Sequence, residues 1–220
     1  MPAELDSVVH SDATAGSHGP VVGTILLDDS FTERSMEIAL EKHPPLVHIA
    51  SHYVYEPGTE NNSYLLLGGK DTGGGQGFRL TLADLRNDQR MDFKGIELLT
   101  LSGCETALGG SKDSDGREVD ALGVMAQKKG AKAVVATLWQ VDDTSVGLLM
   151  ANFYRLWINT PGITKVEALQ QAQLSILHGN AGSTGTPQNS STNAAKQQSP
   201  NSKYDNPYYW APFILIGNWK

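Results

Sequence analysis

Apolar residues along this chain keep two different periods. Short runs rich in Val, Ile and Leu, bounded by Gly, Pro, Asn and Asp, read as strands at residues 21–27, 46–50, 63–67, 78–80, 96–101, 133–138 and 213–216. Between them, apolar positions three and four apart predict helices. One follows Val119, Leu122, Met125 and Ala126 and ends at Gly130, a C-terminal cap. Another follows Val146, Leu149, Met150, Phe153 and Trp157, and a third spans residues 167–177. Shorter helices are expected at 4–10, at 32–42 with Ser30 or Thr32 as cap, and at 82–86 behind a Thr81–Asp84 capping signal. Strands alternating with helices predict an α/β fold, with a mostly parallel central sheet covered by helices on both faces.

Composition narrows the class. The chain has 220 residues, 40% hydrophobic and 19% charged, with a net charge of −7, which fits one α/β domain with a single core. No basic run is present, so nucleic-acid binding lacks its electrostatic footprint. No apolar stretch approaches the roughly 18 residues of a membrane helix, and no signal peptide opens the sequence. One cysteine excludes an internal disulfide and fits a reducing compartment. A cytoplasmic protein is expected. Residues 179–203, rich in Gly, Ser, Thr, Asn and Gln, bury too little to order themselves and read as a surface insertion.

The chemistry gathers at two strand exits. Cys104, the one thiol, follows the run Leu98-Leu99-Thr100-Leu101-Ser102-Gly103. His52 closes the run Leu46-Val47-His48-Ile49-Ala50-Ser51. In parallel sheets, sites form beyond the carboxyl ends of strands, so the two residues are expected to converge. A thiolate nucleophile needs a base and an oxyanion site. His52 would supply the base, and backbone N–H groups at Cys104 and just after His52 would supply the second. The alternative for Cys104 is a small buried hydrophobe. Its polar neighbours, Ser102-Gly103 before it and Glu105-Thr106 after it, weigh against that.

Other candidates fall away or stay open. His48 and His52 have metal-like spacing only on a helix; on a strand four residues span about 13 Å. Zinc is therefore rejected, no metal or cofactor is expected, and His48 reads as a satisfied core histidine. The glycine-dense segment 68–77 reads as a hairpin loop, because Lys70 precedes Asp71 and no helix opens after it. The carboxylates Asp113, Asp115 and Glu118 fall short of a calcium-loop pattern. Asp142 and Asp143 follow Trp139 and precede a helix, so one is its N-cap. For the pair, capping alone is one reading; the alternative is that the other faces a cleft, where a carboxylate would favour a basic substrate side chain.

These residues together resemble the CHAT domains, caspase-like cysteine peptidase modules usually fused to tetratricopeptide repeats. The resemblance rests on Gly23-Thr24-Ile25-Leu26-Leu27, Val47-His48-Ile49-Ala50-Ser51-His52, Leu99-Thr100-Leu101-Ser102-Gly103-Cys104-Glu105-Thr106, Gly116-Arg117-Glu118-Val119 and Gly130-Ala131-Lys132-Ala133-Val134-Val135-Ala136-Thr137-Leu138-Trp139. It continues in Lys165-Val166-Glu167-Ala168-Leu169 and closes on Tyr208-Tyr209-Trp210-Ala211-Pro212-Phe213-Ile214-Leu215-Ile216-Gly217-Asn218-Trp219. His52 also precedes Cys104 by 52 residues, close to the spacing of about 50 in caspases. The resemblance implies a caspase-like three-layer sandwich and a cysteine endopeptidase with His52 as base and Cys104 as nucleophile. It implies oxyanion contacts from the N–H groups of Tyr53 and Cys104.

Many members have glycine directly after the histidine. Tyr53 stands there in this chain and is expected to narrow the cleft. A likeness to separase around Trp139-Gln140-Val141-Asp142-Asp143 places Asp143 on an acidic position and implies cleavage after Arg or Lys. The partners implied are a protein or peptide substrate and a tetratricopeptide-repeat region or regulatory protein, with this chain as the C-terminal part of a longer one. By analogy with caspases, the loop at 109–118 is a candidate for self-cleavage at Lys112 or Arg117. The rival reading is a non-catalytic or conditionally active interaction module on the same fold.

Overall fold

The computed structural model describes residues 2–11, 17–54, 61–69, 78–104, 117–139, 141–179 and 203–220. In chain order the elements are α1 (Pro2–Val8), β1 (Val9–His10), β2 (Val21–Val22), α2 (Glu33–Leu40), β3 (Leu46–Val54), β4 (Tyr64–Leu66), β5 (Arg79–Thr81) and α3 (Leu82–Asn87). They continue with β6 (Leu98–Cys104), α4 (Arg117–Lys128), β7 (Ala133–Thr137), α5 (Asp143–Asn159), α6 (Lys165–Leu177) and β8 (Phe213–Gly217). Most of the predicted insertion and of the loops at 68–77 and 109–118 lie outside the described residues.

Six strands form one sheet in the order β5-β4-β3-β6-β7-β8, and β1 pairs β2 in a two-stranded parallel sheet. The larger sheet is mixed, which corrects the expectation of a mostly parallel one. Strands β3, β6 and β7 run parallel at its centre. The β3–β4, β4–β5 and β7–β8 pairs are antiparallel. Strands β3, β4 and β5 follow one another and return antiparallel, β8 comes back against β7 after α5 and α6, and the parallel neighbours need a crossover. Helix α4 serves as that crossover between β6 and β7.

Helices cover both faces. Residues of β7 alternate sides, and all five are buried. Val134 and Ala136 pack in a core with Met36 and Leu40 of α2, Leu82 and Leu85 of α3, and Leu122 and Met125 of α4. Ala133 and Val135 face a second core with Val8, with Leu149, Met150 and Phe153 of α5, and with Leu169, Ala172 and Ile176 of α6. A strand buried on both sides favours a continuous apolar run, which is why Ala-Val-Val-Ala shows no alternation before the buried Thr137.

Local chemistry sets the ends. The Thr32 and Thr81 hydroxyls cap α2 and α3, and Ser35 and Asp84 return the bond to the cap backbone. Helix α6 begins the same way at Thr164 and Glu167. Gly130 takes φ +113° and closes α4, as its sequence position predicts. The strand expected at 21–27 reaches only Val22. Beyond it, the Ser30 hydroxyl bonds the N–H and C=O of Leu27, and Asp28 adopts φ +44°. This local turn competes with ladder bonding. No described helix is long and apolar enough to cross a membrane.

Candidate active site

Strands β3 and β6 lie side by side in register from Leu46↔Leu98 through Ala50↔Ser102. The next pair is Tyr53↔Cys104, so Ser51 and His52 together oppose Gly103. One extra residue on β3 makes a bulge, a feature that redirects side chains and commonly lies beside active sites. The bulge falls at His52. Cys104 is the last residue of β6, and its backbone stands beside the residue after His52. The two candidates, 52 positions apart in sequence, thus lie near the carboxyl ends of adjacent parallel strands.

Tyr53 does not line a cleft. Its side chain is 3% exposed and packs among Ile49, Leu65 and Leu101 in the first core, which overturns the expectation that it narrows the substrate path. Ordinary strand alternation offers the reason: Val47, Ile49 and Tyr53 are odd-numbered residues of β3 and share the face packed on that core. Tyr53 is also in register with Leu65 of β4, so strands flank it on both sides.

Asp142 and Asp143 divide as the sequence leaves open. Asp142 is the N-cap of α5, accepting the Ser145 N–H at 3.3 Å and the Ser145 hydroxyl at 2.6 Å. Burial pushes its carboxyl up, but the Ser145 bonds and the Lys203 ammonium at 3.3 Å outweigh this and hold it below the usual range. Asp143 is the first helical residue and is exposed. Trp139, just past β7, is half-buried and donates its indole N–H to the Tyr208 carbonyl at 3.0 Å.

Next to these strand ends lies a buried polar network. Glu4 of α1 accepts the Ser102 hydroxyl and lies 2.8 Å from His48 Nε2. His48 Nε2 is also 3.0 Å from Ser102 Oγ. On its other side, His48 Nδ1 is 3.1 Å from the Tyr154 hydroxyl, which is 2.6 Å from Thr100 Oγ1. One assignment uses each hydrogen: Ser102 and His48 Nε2 donate to Glu4, Tyr154 donates to Nδ1, and Thr100 donates to Tyr154. His48 is thus the satisfied core histidine that its sequence position suggests. The roles of Glu4, Thr100, Ser102 and Tyr154 are not apparent from the sequence. The available signal is three polar residues, His48, Thr100 and Ser102, interrupting otherwise apolar strands and sharing one face.

Two other features have no link to this chemistry. An apolar cavity of about 470 Å³ lies between α2, residues 23–26 and Leu46–Ile49, at the far half of β3 from His52. Glu33, Glu37 and Asp88 cluster within 4.8 Å. Guanidinium groups already serve this cluster, Arg90 at 2.9 and 2.8 Å from Glu37 and Asp88, and Arg34 at 2.9 Å from Glu37.

The fold and the shared strand edge define an α/β protein whose candidate chemistry sits at the end of the central parallel pair. The family model described as CHAT domain matches residues 2–218, and the chain belongs to that caspase-like, protease-related family. No curated protein compared with the chain matches it.

Proposed function

We infer that this domain is a cysteine endopeptidase built on a His52–Cys104 dyad. The observation that carries the reading is the β3–β6 register, which sets the backbone of Cys104 beside Tyr53, with His52 in the adjoining bulge. His52 accepts the Sγ proton, and the thiolate attacks the scissile carbonyl. The N–H groups of Tyr53 and Cys104 hold the oxyanion. As the tetrahedral adduct collapses, the C–N bond breaks and His52 returns the proton to the leaving amine, leaving a thioester. Water, deprotonated by His52, then releases the acyl group and restores the thiol.

Asp143 is the exposed carboxylate of the pair and would meet a substrate Arg or Lys, whereas Asp142 caps α5 and pairs with Lys203. Trp139 would form a wall of that pocket. In a longer chain, a tetratricopeptide-repeat region would present or gate the substrate.

The test is mass-spectrometric profiling of a mixed peptide library with the native chain and C104A. Cleavage after Arg or Lys, lost in C104A and weakened in D143N, is the expected result. Cleavage after other residues retains the dyad and removes Asp143 from specificity. Equal products from C104A and native protein would overturn the assignment. Absence of cleavage, together with a Cys104 alkylation rate indifferent to H52A, would favour the interaction-module reading.

A further inference from the structure

Helix α1 reaches under the sheet with one side chain. Glu4 is 3% exposed, a rare state for a carboxylate unless it is paired. Its partners sit on two different strands: His48 on β3 and Ser102 on β6. They occupy nearly adjacent register steps, His48↔Thr100 and Ala50↔Ser102. The His48–Ser102 contact at 3.0 Å links the strands directly, and Glu4 clamps the pair from below. These are the last in-register steps before the bulge, so His52 and Cys104 lie immediately downstream of the clamp. The helix itself is seated closely. Gly147 of α5 lies under it, and a Cβ there would come within 3.3 Å of both the Glu4 Cα and the Ser7 Oγ. Any larger residue would press α1 away.

We propose that Glu4, His48 and Ser102 are positioning residues: through them α1 sets the relative placement of β3 and β6, and so of the His52 and Cys104 that the strands carry. This rests on the dyad reading above and deepens it. None of the three touches substrate. A carboxylate can accept from two donors at once, which makes Glu4 suited to hold two strands at one spacing. Buried polar groups with alternative partners would slip, but the polar neighbour of this clamp, the Tyr154 hydroxyl, is itself engaged with His48 and Thr100.

The test compares E4Q, S102A, H48N and H52A in the full 220-residue chain. I176V, a buried change in the same core but outside the clamp, serves as a stability control. Two readouts are taken at equal folded fraction: the alkylation rate of Cys104 against pH, and hydrogen exchange at the amides of Tyr53 and Cys104. E4Q and S102A are expected to slow alkylation at pH 7 about tenfold, because the imidazole is no longer held where it can take the thiol proton. They should also speed exchange at those amides, while I176V alters neither. If H52A slows alkylation but E4Q, S102A and H48N do not, the dyad stands and the positioning role is overturned. If H52A has no effect, the dyad reading fails, and exchange alone decides the clamp: faster exchange in E4Q sustains it, unchanged exchange removes it.

Discussion

Tyr154 gives the sharpest test of the buried network. Its phenol is fully buried and sits 3.1 Å from His48 Nδ1 and 2.6 Å from Thr100 Oγ1. Tyr154→Phe deletes one oxygen and leaves the ring in its contact with Phe153, whose centroid is 5.1 Å away. Two buried polar atoms then lose their partner. An orphaned buried group costs about 1–3 kcal/mol, and the Thr100 hydroxyl can rotate to recover part of its share. A loss of about 2–3 kcal/mol is expected, a large fraction of the ~5–15 kcal/mol that holds a domain folded. Urea unfolding measures it, with an unchanged slope showing that the two-state transition is intact. Thr100→Val removes the other end of the 2.6 Å bond. In the double variant that bond is counted once, so the double loss should fall short of the sum by about 1 kcal/mol. A Tyr154→Phe loss below about 0.5 kcal/mol, or strictly additive losses, would refute the network as drawn.

Three further outcomes are expected. Burial raises the Tyr154 phenol above the ordinary range, the Thr100 bond opposes this in part, and the Glu4 charge adds to it. Its neutral form is favoured in the folded state, so the contribution is complete below about pH 10, the unfolded value, and is lost as pH climbs from there toward the raised folded value. Alkaline unfolding followed by circular dichroism should therefore be less steep in Tyr154→Phe. Asp142→Ala should cost about 1 kcal/mol in thermal or urea unfolding through loss of the α5 cap, and the exposed Lys203 pair should add little; a loss equal to that of Lys203→Ala would show that the cap does not matter. Gly217 has φ +93°, and a Cβ there would lie 2.6 Å from the Lys132 carbonyl, so Gly217→Ala should lower stability by more than about 1 kcal/mol; a wild-type melting temperature would contradict this packing.

Much of the architecture was legible because periodicity reports which faces are buried. Helices α4, α5 and α6 follow from their apolar stripes, and Thr81–Asp84 from its capping signal. The strand at 21–27 was misread because Val-Val-Gly-Thr-Ile-Leu-Leu carries β-propensity throughout, while the turn that ends it depends on Ser30 reaching back to Leu27. Sheet direction was misjudged for a related reason: composition does not distinguish a hairpin return from a crossover. His52 and Cys104 stood out by chemistry and strand position, and the register supports their meeting. Glu4 was invisible as a functional residue, because a carboxylate in the first turn of a short helix reads as solvated. Only the fold brings it under strands 44 and 98 positions away. The Tyr53 side chain was misplaced because the strand was expected to end at Ala50, whereas β3 runs on to Val54 and carries Tyr53 on the core face that Val47 and Ile49 share.

The β4–β5 hairpin is attached to the rest of the sheet along a narrow seam. Among the described residues, Tyr53↔Leu65 and Val54↔Tyr64 pair it to β3, with the Ser51 hydroxyl on the Leu66 carbonyl beside them. That seam begins directly after His52. What holds the hairpin is therefore side-chain burial more than ladder bonding, since Leu65, Leu67 and Leu80 lie in the same core as Ile49, Leu101 and Val134. The backbone just after His52 is thus anchored from a distance, by leucines that touch none of the proposed chemistry. Trimming one of them would loosen the strand beside His52 through lost packing, so a core substitution could read in an assay like a substitution at the site itself.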